Sequence, residues 1–161
     1  MSHYKTTLHD EAATQALGKS LAQVLQPGML VFLHGDLGAG KTALTRALIH
    51  AAGHQGSVKS PTYTLAEPYA VHLHGQPATI MHFDLYRMGS PEEFIDAGFR
   101  EELNAQTLCL IEWPEKAAGV LPEADLHVHL SVAGDGREVE LHALSAKGIA
   151  CLASLHFAPN L

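Results

Sequence analysis

The segment Gly35-Asp36-Leu37-Gly38-Ala39-Gly40-Lys41-Thr42 constrains this chain more than any other, because a loop with this spacing works only between a strand and a helix. Its glycines let backbone N–H groups turn inward around phosphate oxygens. A helix beginning near Lys41 aims the positive end of its dipole at them, and the Lys41 ammonium reaches the β- and γ-phosphates. Thr42 presents a hydroxyl to Mg²⁺. A chance glycine-rich turn is the bland alternative, and the flanks argue against it. Met29 to Leu33 is the continuous apolar run expected of a parallel strand covered on both faces. Lys41 to Ala52 sets Leu44, Ala47, Leu48 and Ala51 on one helical face, with Gly53 as the stop.

The remaining pattern alternates strand and helix, which predicts an α/β fold. Residues Asp10 to Leu25 read as an amphipathic opening helix capped by Asp10 and ended by Pro27-Gly28. Strands are expected at Tyr63 to Tyr69, Thr79 to Phe83 and Leu108 to Ile111. Ser90-Pro91-Glu92-Glu93 reads as a helix start, with Ser90 at the cap and Glu93 completing a capping box. Leu126 to Val132 and Glu138 to Leu144 alternate around Gly134-Asp135-Gly136, an antiparallel hairpin extending the sheet. A last helix runs from Ser145 to Leu155. The expectation is one P-loop NTPase domain over residues 1–161, its mostly parallel central sheet flanked by helices.

A phosphate loop also needs a carboxylate at the end of a neighbouring parallel strand, to hold a metal and its waters opposite Thr42. Asp84 closes the run from Thr79 and Glu112 closes the run from Leu108, so both are expected at the carboxyl edge of the sheet, where open α/β folds bind ligands. Either one alone also reads as a solvated strand end. Lys59-Ser60-Pro61-Thr62-Tyr63-Thr64-Leu65 supplies hydroxyls and a rigid proline for a loop able to sense a γ-phosphate, and equally suits a plain turn-rich loop. Trp113 fits either a nucleotide or partner contact or ordinary core packing.

Composition narrows the class. The formal charge of −7, from 17 acidic against 10 basic residues, disfavours unaided nucleic-acid binding. No apolar run approaches the ~20 residues of a membrane span, and the N-terminus lacks a signal-peptide pattern. With only Cys109 and Cys151, there is neither a disulfide framework nor a paired metal-ligand motif. A soluble protein of the reducing cytoplasm is expected.

Four segments, in this order and spacing, closely resemble the bacterial TsaE (YjeE) family: Gly35 to Thr42; Val58 to Leu65 with Glu67-Pro68-Tyr69; His82-Phe83-Asp84-Leu85-Tyr86-Arg87; and Ile111-Glu112-Trp113-Pro114. Ala43 departs from the family's usual second threonine, and the likeness is loose beyond Leu121. The resemblance implies ATP binding with Mg²⁺, slow hydrolysis by the chain alone, and action with the TsaB and TsaD proteins. Those partners transfer a threonylcarbamoyl group to the adenosine beside the anticodon of certain tRNAs, so tRNA is engaged only indirectly. The nucleotide cycle is thought to reset the TsaB–TsaD synthase between turnovers. By position, Thr42 and Glu112 resemble Mg²⁺ ligands, Asp84 the residue that orients or activates the attacking water, Ser60, Pro61, Thr62 and Thr64 a switch loop, and Glu11 a position near the adenine.

Competing readings are a small-molecule kinase and a non-catalytic ATP-dependent binding module. A kinase commonly carries several arginines in a lid, whereas this chain has Arg46, Arg87, Arg100 and Arg137 and no arginine-rich insertion. Asp84 and Glu112 argue against a non-catalytic module. No Asn-Lys-x-Asp run for reading guanine is present. Arg87 and Arg100 are candidates for charge-stabilising fingers, or surface salt bridges. Among twelve histidines, His72-x-His74 and His127-x-His129 would each share a strand face, but spacing offers neither pair a third ligand.

Overall fold

The computed structural model describes residues 2–157; the rest of the span 1–161 lies outside the described residues. Seven strands, β1 (His3–Leu8), β2 (Leu30–His34), β3 (Ala66–Leu73), β4 (Gln76–Asp84), β5 (Thr107–Glu112), β6 (Leu126–Ala133) and β7 (Gly136–Ala143), join in one sheet of order β1-β7-β6-β2-β5-β4-β3. Four helices accompany them: α1 (Glu11–Val24), α2 (Lys41–Ala51), α3 (Glu92–Asp96) and α4 (Ala146–Ser154). Short 3₁₀ turns span Phe99–Glu102 and Pro114–Ala117.

The sheet is mixed, which corrects the expectation of a mostly parallel one. The pairs β2–β5, β2–β6 and β4–β5 are parallel, whereas β1–β7, β3–β4 and β6–β7 are antiparallel. Local chemistry accounts for two of the antiparallel pairs. His74-Gly75 and Gly134-Asp135 each leave two residues between paired strands, and the left-handed backbone at His74 and Gly75 (φ 52° and 75°) is what a tight hairpin turn needs. The third antiparallel pair involves β1, a strand that the sequence pattern did not suggest. It is polar, with its only buried residue at Leu8, and takes its register from β7.

The strand expected from Tyr63 begins instead at Ala66. Leu65 adopts φ 67° and donates its N–H to the Pro61 carbonyl, so the chain turns there before it extends. The expected capping box at Ser90 does not form. The helix starts at Glu92 without a side-chain cap, and the Glu93 carboxylate accepts instead from the Gly89 N–H at 3.2 Å. The expected cap at Asp10 does form, its side chain accepting the Ala13 N–H, and Ser145, expected as the first residue of the last helix, caps it instead by accepting the Gly148 N–H.

Apolar layers cover the whole of one sheet face and, over β2, β5 and β4, the other. On one face Leu17, Leu21, Leu44, Leu48 and Leu152 from α1, α2 and α4 pack against Val31, Leu110, Val128 and Leu141. On the other, Phe94 of α3 and Ala117 pack against Phe32, Phe83 and Ile111. With both faces covered, β2, β4 and β5 are driven together by their apolar runs, and in register Asp84 stands beside Glu112 and Glu112 beside Leu33. The carboxylates and the glycine loop therefore emerge at one sheet edge.

Candidate phosphate-binding site

The loop from Gly35 to Thr42 is shaped by backbone conformations that side chains resist. Gly35 has φ 148°, and a Cβ there would stand 2.5 Å from the Leu130 carbonyl oxygen; Gly40, at φ 105°, is the cap position from which α2 starts. Lys41 is buried, and its ammonium donates to the Gly35 carbonyl and lies 3.8 Å from the centre of the Trp113 ring. Burial lowers its pKa, opposed by the nearby carboxylates of Glu112, Asp84, Glu115 and Asp36.

Behind the loop the carboxylates are held by named partners. Thr42 Oγ1 donates to Glu112 at 3.3–3.4 Å, and His82 Nε2 lies 2.6 Å from Glu112 Oε2 with both side chains buried. Asp84 accepts from Ser60 Oγ and from the Tyr86 N–H, each at 3.1 Å. These groups share one cleft of about 520 Å³, whose lining includes Lys41, Thr42, Ser60, Asp84, Glu112 and Trp113. That volume suits a ligand of nucleotide size. The Thr42 hydroxyl beside the Glu112 carboxylate is an all-oxygen donor pair, which fits a hard cation such as Mg²⁺.

Trp113 owes its place to an unusual backbone. Its φ of 58° is rare for a bulky residue and marks strain that the packing around it must support. The turn leaves the indole between Lys41 and Tyr86, the latter ring 5.0 Å away.

Of the other expected residues, Gly38, Gly40, Leu37 and Thr62 also line the cleft, whereas Asp36, Ala39, Pro61 and Thr64 do not. Thr64 donates to Glu67 at 3.0 Å instead. Glu11 lines a neighbouring groove between α1 and α2 that meets the cleft at Ala43. Arg87 reaches the cleft, its guanidinium 5.1 Å from the Tyr63 ring centre, but Arg100 does not.

Two functional-site residues escaped the sequence reading. Arg137, at the start of β7, lines the cleft and donates to the carbonyls of Ala39 (3.1 Å) and Gly38 (3.2 Å), bracing the loop. His82 appeared only as part of a segment, and its partnership with Glu112 depends on the parallel register of β4 and β5. The histidine pairs also need correction. His74 sits in a turn, with Nε2 3.0 Å from the Leu25 carbonyl oxygen, so no His72-x-His74 pair forms on a strand. His127 and His129 do share a face, and His34 supplies the third imidazole.

A sequence model of the family described as "Threonylcarbamoyl adenosine biosynthesis protein TsaE" matches residues 8–139. The chain is 46% identical over 144 residues to the tRNA threonylcarbamoyladenosine biosynthesis protein TsaE of Haemophilus influenzae, covering 86% of this chain and 89% of that protein. It is 35% identical over 132 residues to the protein of the same name from Bacillus subtilis, covering 81% and 80%. Its fold is similar to the crystal structure of Bacillus subtilis YdiB, with a TM-score of 0.77 and 28% identity over 96% of this chain and 95% of that one. Among the described residues, no helix is long and apolar enough to cross a membrane.

Proposed function

This chain belongs to the TsaE family of threonylcarbamoyl adenosine biosynthesis proteins, and from that premise we propose that it is a cytoplasmic, Mg²⁺-dependent P-loop ATPase. It serves tRNA threonylcarbamoyladenosine (t(6)A) formation together with TsaB and TsaD, and its nucleotide cycle resets their synthase between turnovers. The observation that carries the ATPase reading is the convergence of Lys41, Thr42, Asp84 and Glu112 on one cleft beside the glycine loop.

Each residue then has a part that its surroundings support. The loop's N–H groups and the start of α2 receive the β- and γ-phosphates. Lys41 exchanges the Gly35 carbonyl and the indole face for phosphate oxygens, a stronger partner for a cation whose burial is costly. Thr42 and Glu112 would hold Mg²⁺, which would supply positive charge against the phosphate oxygens. His82 fixes the carboxylate of Glu112 from below.

Asp84, steadied by Ser60 and the Tyr86 N–H, accepts a hydrogen bond from the attacking water and aligns it on the γ-phosphorus. Because Ser60 belongs to the Ser60–Thr64 loop, γ-phosphate occupancy is felt there. Arg137 is committed to the loop carbonyls, which accords with slow hydrolysis until a partner adds positive charge. The acidic balance of the chain accords with tRNA contact through TsaB–TsaD alone.

The test is multi-turnover t(6)A formation on tRNA with purified TsaB and TsaD. Wild type with ATP is expected to sustain repeated turnovers, while Asp84→Ala, or wild type with a non-hydrolysable ATP analogue, is expected to stop near one. Repeated turnovers in either of the latter would sink the hydrolytic reading in favour of an ATP-dependent binding module.

A further inference from the structure

The sheet face that packs on α3 is covered over β2, β5 and β4 by Phe94, Phe99 and Ala117. Beyond β2, the residues of that face on β6, β7 and β1 are polar: His127 and His129, then Glu140 and His142, then His3 and Lys5. A polar sheet face needs no metal, yet here the sheet itself gathers imidazoles. His127 and His129 are two apart on β6, and the parallel register sets His34, the last residue of β2, beside His129.

We propose that His34, His127 and His129 form a binding site for a divalent d-block cation, Zn²⁺ foremost, separate from the nucleotide cleft. Their candidate ligand nitrogens all lie within 4.8 Å of one another. His34 Nε2 is 2.8 Å from His127 Nδ1, and the His34 ring stacks near-parallel to both others, with centroids 5.0 Å and 4.5 Å away. Zn–N bonds of about 2.0–2.1 Å at tetrahedral angles set ligand nitrogens about 3.3 Å apart, so the close His34–His127 pair must part by about half an ångström and the near-parallel rings must turn to aim their lone pairs at one ion.

One of the two close nitrogens carries the proton they share. Ligation moves it to the far nitrogen of the same ring, and the ion takes its place with no net change in charge on the ligands. Three nitrogen donors suit Zn²⁺ and its neighbours over Mg²⁺ or Ca²⁺, and His129 at the exposed margin leaves the fourth position to water. Strands of one sheet carry all three ligands, so the backbone is fixed and side-chain rotation is what brings the nitrogens onto the ion.

The probe is Zn²⁺ alone, titrated against a chromophoric chelator without nucleotide, with Co²⁺ absorption reporting coordination number. Wild type is expected to take up Zn²⁺ and to give the intense visible bands of four-coordinate Co²⁺. His127→Gln/His129→Gln should weaken Zn²⁺ by more than roughly 10-fold, while His3→Gln/His142→Gln, which disables the adjoining His3, Glu140 and His142 group, retains wild-type affinity. The single variant His129→Gln, at an exposed position, should also weaken Zn²⁺ and guards against misfolding of the double variant. No Zn²⁺ uptake by wild type, unchanged affinity in the first double variant, loss only in the second, or equal loss in both overturns the proposal. None of these outcomes depends on ATP turnover.

Discussion

Replacing His82 by Leu isolates the most consequential polar contact beneath the glycine loop. His82 is fully buried, its Nε2 is 2.6 Å from Glu112 Oε2, and its Nδ1 has no partner among the described residues. Breaking a buried charged contact by removing one partner costs about 3–5 kcal/mol. The variant also removes the orphaned Nδ1, which returns about 1–3 kcal/mol. Thr42 still donates to Glu112, and the middle of each range leaves a net cost of about 2 kcal/mol.

At a urea m-value of about 2 kcal/mol/M, within the usual range, this lowers the unfolding midpoint by about 1 M. Glu112→Leu strands the imidazole and should cost a similar amount. The double variant His82→Leu/Glu112→Leu leaves neither group unpaired and should recover most of the wild-type midpoint, because a well-packed apolar pair can replace a buried polar one. If His82→Leu falls within about 0.5 kcal/mol of wild type, or if the two losses simply add, the pair does not couple as the geometry requires.

Two further outcomes are expected. Trp113 is the single tryptophan and lies under the Lys41 ammonium, so ATP with Mg²⁺ should change its fluorescence in wild type and leave that of Lys41→Met nearly unchanged. A silent wild type would show that nucleotide does not draw Lys41 from the indole. Gly18→Ala places a methyl 2.6 Å from the Ala47 Cβ and 2.8 Å from the α2 backbone. Crowding of about 1–3 kcal/mol should outweigh a helix-propensity gain of about 1 kcal/mol, so the melting temperature should fall while nucleotide affinity holds; a rise would refute the close helix packing.

Much of the site was legible because its signals are local. Positive-φ glycines at 35, 38 and 40 sit where the loop spacing puts them, and the apolar runs ending at Asp84 and Glu112 became adjacent parallel strands whose ends meet in register. The cap at Asp10 formed because its side chain reaches an N–H three residues away. Reading failed where a nearby competitor was not apparent. Glu93 had the Gly89 N–H to accept as readily as that of Ser90, and Leu65 turned the chain where its β-favouring neighbours suggested a strand.

By itself, then, the sequence determined the glycine loop, the strand on which it follows, the helix it opens and the two carboxylates that face it. All of these depend on contacts within a few residues or on apolar runs that must be buried on both faces. Only the tertiary structure decided that β1 closes one edge of a mixed sheet, that Arg137 reaches back across 98 residues to the Ala39 carbonyl, that His82 holds Glu112, and that His34 meets His127 across 93 residues. Those partnerships follow from strand order and register. Such properties arise from the summed packing of distant segments, and no single segment carries a pattern for them.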